Sequence, residues 1–124
     1  MAYSDTLNFV VGDTLPALDL TLRDKNTAAS GATLDPENSA TWAPINITGA
    51  TVRLRLRELG STTLTDTRTC LITSGTGGTC TTDFSTDSFP TAGTYEGEVE
   101  ITFPTGGIQS VYDLVRFKVR NDFD

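Results

Sequence analysis

From Tyr95 to Phe103 apolar and polar residues alternate without a break. Tyr95, Gly97, Val99, Ile101 and Phe103 fall on one side, and Glu96, Glu98, Glu100 and Thr102 on the other. Period-two alternation predicts a strand with one buried and one solvated face, as in the core of an antiparallel sheet. Three glutamates along one strand face repel each other unless neighbouring strands supply cations. Two other stretches can do so. Val52, Leu54 and Leu56 alternate with Arg53, Arg55 and Arg57, and Val115, Phe117 and Val119 alternate with Arg116, Lys118 and Arg120. The pattern places the acidic strand between the two basic ones, so that these charged residues form an ion-pair ladder. Pairing Glu96 with Arg120, Glu98 with Lys118 and Glu100 with Arg116 would satisfy all three acids in one antiparallel register. The turn at Pro104–Gly107 is off-centre for that register. The mismatch implies a bulge or an irregular stretch within 108–114, set at Tyr112–Asp113.

Elsewhere, short alternating runs lie between turn signals. Leu7, Phe9 and Val11 predict an edge strand. Leu18, Leu20 and Leu22 predict a second strand over 15–23, with Pro16 near its start, where a missing donor is tolerated. Thr62–Thr67 reads as a short strand near an edge. Thr69–Thr73 and Thr79–Phe84 flank Ser74-Gly75-Thr76-Gly77-Gly78 as a hairpin. Asp87–Gly93 reads as a turn, with one helical turn that sets Phe89 on the core. Residues 24–44 show no sustained periodicity and read as one long loop. It carries the single tryptophan, Trp42, which either anchors the loop on the rim of the fold or contacts a partner or a sugar. The expected core comprises Phe9, Leu18, Leu20, Leu22, Val52, Leu54, Leu56, Ile72, Phe84, Tyr95, Val99, Ile101, Phe103, Phe117 and Val119.

A chain of 124 residues fits one domain, 1–124, whose core needs no metal or disulfide. Abundant Gly, Thr and Ser between short apolar runs point to an all-β sandwich or barrel. The net charge of −7 leaves no electrostatic footprint for nucleic acid or an anionic membrane. The N-terminus lacks the charged and apolar regions of a signal peptide, and no run reaches transmembrane length. The chain is therefore expected to be made in a cytoplasm and to stay soluble. The polar ends, 1–6 and 121–124, read as arms that order on assembly.

Candidate chemistry is sparse. With no histidine, the usual general base, the Ser-His-Asp triad and most transition-metal sites are missing. There is no Walker loop or dinucleotide fingerprint. Glu96, Glu98 and Glu100 project along one exposed face, which suits a cross-strand ladder better than a glycosidase pair. Asp83, Asp87 and Asp113 fall near predicted loops without calcium-loop spacing. No catalytic, cofactor or metal site is expected. Cys70 and Cys80 flank the glycine-rich turn. They are either a disulfide across the hairpin or two reduced, half-buried thiols of a cytoplasmic protein. A bridge closing so short a loop would contribute about 2.5–3 kcal/mol in the chain-entropy model.

The order of motifs carries a resemblance. Phe9-Val10-Val11-Gly12-Asp13-Thr14-Leu15-Pro16 precedes an alternating strand, followed by Ile47-Thr48-Gly49-Ala50-Thr51-Val52-Arg53-Leu54. Then come Phe84-Ser85-Thr86-Asp87, Ala92-Gly93-Thr94-Tyr95-Glu96-Gly97-Glu98-Val99 and the turn with Gly106-Gly107. Across nearly its whole length the chain resembles the immunoglobulin-like N-terminal domain of tailed-phage baseplate upper proteins and related small tail and neck proteins. The resemblance implies an immunoglobulin-like antiparallel β-sandwich of about seven to eight strands. It implies a non-catalytic virion structural protein that docks onto other tail, neck or fibre components in several symmetric copies. The alternatives are a capsid decoration protein and a carbohydrate-binding or adhesive module. The last would draw on Trp42, Tyr3 and Tyr112 as its contact residues.

Overall fold

The computed structural model describes residues 6–15, 17–111 and 114–123. The regular structure is all-β: β1 (Thr6–Val10), β2 (Leu18–Thr21), β3 (Arg23–Ala28), β4 (Trp42–Pro44), β5 (Thr51–Glu58), β6 (Leu64–Thr69), β7 (Leu71–Ser74), β8 (Thr79–Thr82), β9 (Gly93–Thr102), β10 (Ile108–Ser110) and β11 (Val115–Arg120). One 3-10 turn, Ser39–Thr41, is the only helical element among the described residues. The helical turn expected before Gly93 is not formed.

The largest sheet runs β1-β11-β9-β5-β6, with β10 also paired to β9. The acidic strand β9 thus lies between the basic strands β5 and β11, as the alternation predicts. The segments expected at edges, β1 and β6, end this sheet. A second sheet runs β2-β8-β7, and β3 pairs with β4. Strand pairing is mixed, because β1 joins β11 in parallel, from Thr6↔Arg116 to Val10↔Arg120. No tight turn links these two strands, so the direction of β1 is free to follow its packing. In this direction Phe9 lies 5.7 Å from the Phe117 ring and 5.0 Å from that of Phe84.

Among the described residues there are eleven strand segments, against the seven to eight strands expected, because continuous runs are interrupted. Between β2 and β3, Leu22 N–H donates to Gly78 O at 2.7 Å and Leu22 O accepts from Ile45 N at 2.9 Å. The chain there changes partner without leaving its extended course. The loop expected over 24–44 is partly strand as well. β3 and β4 pair at Arg23↔Pro44, Asp24↔Ala43 and Ala28↔Trp42, with a register shift between Asp24 and Ala28. That irregularity erases the period-two signal from the sequence.

The register of β9 against the last strands differs from the one that charge matching suggested. β10 pairs Ile108↔Thr102 to Ser110↔Glu100, and β11 pairs Val115↔Gly97, Arg116↔Glu96 and Lys118↔Thr94. Glu96–Arg120, Glu98–Lys118 and Glu100–Arg116 are therefore not neighbours. The tight turn closed by Gly106 N–H to Phe103 O at 2.9 Å and Phe103 N–H to Gly107 O at 2.8 Å fixes β10. Val111 N–H still bonds to Val99 O, so the shift lies between Val111 and Val115. Tyr112 and Asp113, where the sequence pattern sets a bulge, lie outside the described residues.

One buried cluster joins the two larger sheets. It draws Leu20 and Cys80 from the second sheet and Val52, Leu54, Leu56, Tyr95, Val99, Ile101, Phe117 and Val119 from the first. Leu18, Ile72 and Phe103, expected inside, are only partly buried. Ile45, Ile47, Val111 and Val115 join the core without having been expected there. Phe84 and Phe89 enter it from the loop before β9. With Phe9, Tyr95 and Phe117 they form a set of ring contacts at 5.0–5.8 Å, several of them edge-on, the geometry aromatic quadrupoles favour. Tyr95 reaches out of this set. Its hydroxyl donates to Thr91 O at 2.7 Å and accepts from Thr91 N at 3.2 Å.

Gly78 and Gly97 are among the glycines fixed by contact. Gly78 has φ +72, and a Cβ there would stand 2.7 Å from Leu22 O and 2.8 Å from Ile45 O. The glycine-rich tip is thus packed into the junction of β2, β3 and the chain after β4. A Cβ at Gly97 would come within 2.8 Å of Leu54 Cδ1 and 3.4 Å of Phe117 Cε2. Gly97→Val should therefore overpack the core and lower stability by about 1–3 kcal/mol. Urea unfolding checks this, and an unchanged midpoint would contradict the packing described.

Candidate interaction surfaces

The charged face of the large sheet is built by β5 and β9. They pair from Thr51↔Thr102 to Glu58↔Tyr95, which puts Arg53, Arg55 and Arg57 directly across from Glu100, Glu98 and Glu96. Arg57 Nε donates to Glu96 Oε1 at 2.8 Å, and Nη2 lies 2.7 Å from the same oxygen. Arg55 reaches Glu100 at 3.2 Å and Glu98 at 3.9 Å, and so serves two acids. The β11 half of the expected ladder is not built. Arg116 faces Glu96 in register without an ion pair to it, and Lys118 faces Thr94. Arg120 Nη1 donates to Asn121 O at 2.9 Å, and its guanidinium lies 5.1 Å from the Phe123 ring centre. A shallow groove of about 230 Å³ over this face is lined by Arg55, Arg57, Glu96 and Glu98. Its charges already satisfy one another, so the face works as a strut more than as an ion-binding site.

A second polar network ties the edge strand β6 to the loop before β9. Ser88, fully buried, donates to Asp66 Oδ2 at 2.5 Å, and Ser85 Oγ donates to the same oxygen at 3.1 Å. Ser85 N–H donates to Ser88 Oγ at 2.9 Å. Arg68 closes the network, with Nε on Asp83 O at 3.0 Å and Nη2 on Asp83 Oδ1 at 3.1 Å. These bonds hold the segment that inserts Phe84 and Phe89. They also engage Asp83, one of the acids considered for calcium; Asp113 lies outside the described residues. Among the described residues no group of three or more Cys, Asp or Glu is disposed to hold a metal ion.

Trp42 is an internal anchor. Its ring is 3% exposed, its indole N–H donates to Asp35 O at 2.9 Å, and Lys25 Nζ sits 5.4 Å from the ring centre. With Thr41 Oγ1 donating to Asn38 O at 2.7 Å, it folds residues 35–42 onto β3. A glycan platform needs exposed ring faces, and Trp42 offers none. Tyr3 and Tyr112, the other proposed contact residues, lie outside the described residues. Phe123, at 95% exposed, is the one widely exposed aromatic ring among the described residues.

The exposed apolar surface lies elsewhere. Leu15 and Leu71 are 64% and 70% exposed. With Ala17, Thr69, Thr81 and Asp83 they line an open groove of about 320 Å³ beside β7, the edge strand of the second sheet. Both leucines are out of phase with the expected core residues, Leu15 with Leu18, Leu20 and Leu22, and Leu71 with Ile72, but the alternation does not say whether another segment covers them.

Cys70 and Cys80 are both buried and are not bridged. Cys70 lies in the crossing from β6 to β7, and Cys80 in β8 between Leu20 and Ile72. The two thiols perturb one another. The Cys80 thiol lowers the pKa of Cys70, an effect reinforced by Arg68 and opposed by burial. The Cys80 thiol is pushed up, first by its interaction with Cys70 and then by burial.

Two outcomes follow from the polar contacts. A double-mutant cycle on Arg57 and Glu96 should give a coupling of about 1 kcal/mol, whereas Lys118 and Glu98 should not couple measurably; the reverse ranking would contradict the register. Asp66→Ala leaves the buried Ser88 hydroxyl without its acceptor and should cost about 1–3 kcal/mol in thermal or urea unfolding. Comparison with known proteins adds no relative: no protein-family model matches the chain, and no curated protein matches it.

Proposed function

We propose that the chain is an immunoglobulin-like β-sandwich serving as a docking subunit of a bacteriophage tail, neck or fibre–baseplate apparatus. The fold part of this reading is supported by strand order. In β1-β11-β9-β5-β6 opposed to β2-β8-β7, the central strands gain a further strand on one side, as in variable-type immunoglobulin domains. Tyr95, near the start of β9, bonds back to Thr91, like the tyrosine corner of such sandwiches. β2, β5 and β9 carry no cysteine or tryptophan, so the antibody-type inter-sheet disulfide and its tryptophan have no counterpart.

The docking part rests above all on the groove with Leu15 and Leu71. Apolar surface beside an open sheet edge, on a chain with net charge −7, is a recurring mark of a protein–protein contact. Short edge strands at β1 and β6 add further places for pairing. The role is a binding one, exerted on other virion proteins, with several symmetric copies in the particle. The virion assignment itself derives from the motif resemblance.

Light scattering of the chain with purified tail, neck and fibre proteins tests the proposal. The expected result is a defined complex, weakened about tenfold or more by Leu71→Asp, while an exposed position leaves folding intact. A chain that stays monomeric with all of them overturns the reading. Binding to glycans or to empty capsids instead would favour an adhesive or a decoration role.

A further inference from the structure

Cys70 and Cys80 belong to different layers. Cys70 N–H donates to Val52 O on β5 at 2.8 Å, which holds it to the large sheet. Cys80 pairs with Leu20 on β2 and with Ile72 on β7, at the centre of the second sheet. Both side chains enter the same core cluster, at 7% and 1% exposed. Ordinary core thiols are scattered and chemically inert. Here the chain's two cysteines enter one buried cluster, with Cys80 across from Ile72, two residues after Cys70, at the corner where the chain crosses between layers.

We propose that Cys70 and Cys80 are an oxidisable pair that closes to an intrachain disulfide, stapling the large sheet to the β7–β8 hairpin. Cys70 is the attacking thiol. It is the more accessible of the two, it lies next to the exposed Leu71, and the Cys80 thiol favours its thiolate. With a small-molecule disulfide such as oxidised glutathione as oxidant, the Cys70 thiolate attacks one sulfur and forms a mixed disulfide, expelling the first glutathione thiolate. The Cys80 thiol then loses its proton and attacks the Cys70 sulfur. That step forms the Cys70–Cys80 bond and expels the second glutathione thiolate. The protein loses two electrons and two protons, and the oxidant takes them up as two thiols.

The reaction stabilises the corner without a new packing contact. Its reach is functional, because the stapled hairpin carries Leu71 and the edge of the exposed groove. The bridge stands or falls independently of what docks there.

The test is a titration of the full chain in reduced and oxidised glutathione, natively and in urea, quenched by alkylation and read by mass. Native packing should favour the bridge, so that it forms at an oxidised-to-reduced ratio about tenfold or more lower in the native state than in urea. Cys70→Ser and Cys80→Ser should each stop at a mixed disulfide or at no product. A native ratio equal to or higher than that in urea overturns the proposal. So does a folded chain that forms the bridge only after urea is added.

Discussion

The pairing of β5 with β9 is the constraint on which the rest of the structure depends. These strands are separated by the whole of β6, β7 and β8, so no tight turn fixes how they meet. Their side chains must do it. A slip by one residue would turn Val52, Leu54 and Leu56 to solvent and the arginines inward. A slip by two would keep the faces but leave one arginine across from a threonine instead of a glutamate. Only the observed register, Arg53, Arg55 and Arg57 against Glu100, Glu98 and Glu96, satisfies both face and charge. The apolar faces supply the stability, while the charges choose among registers that the apolar faces alone would tolerate.

On the other side of β9 the order of control is reversed. β9 and β10 are joined by a short turn, and its geometry sets their register before any charge can act. The register of β11 on β9, from Val115↔Gly97, departs only slightly from that of β10. Arg116, Lys118 and Arg120 therefore miss the acids that a pure charge argument assigned to them. Exposed ion pairs contribute too little to move a hairpin turn off its preferred geometry. The same strand thus shows charge deciding register where topology leaves it free, and yielding where the backbone has already decided.

The plug before β9 follows from that frame. Gly97 leaves space on the inner face of β9, where Leu54 and Phe117 approach closely. The loop bearing Phe84 and Phe89 then closes the core beside Phe9. Asp66, Ser85 and Ser88 hold the loop where a buried hydroxyl would otherwise be costly. Among the described residues the buried polar side chains are thus satisfied inside the fold, and the open edges and the Leu15–Leu71 groove remain exposed. The thiol pair lies beneath the same corner, so its oxidation state would act on the part of the surface most open to partners.

Much of this was legible in the sequence, because period-two alternation reports directly on a strand with one wet face. It identified the all-β class, the two-faced strand β9, its position between two basic strands, the edge strands β1 and β6, the hairpin around Gly75–Gly78 and most of the core. Several other features carry no local signature. The parallel course of β1, the irregular β3–β4 pair and the engaged state of Asp83 depend on strands that meet only in the fold. The sequence left Trp42 open between anchor and contact residue, and Cys70 and Cys80 open between bridge and free thiols. It set Leu15 and Leu71 out of phase with the core without saying whether anything covers them. A residue's own pattern states which side of a strand it faces. What lies on that side, and whether anything covers it, is set only when distant strands pack.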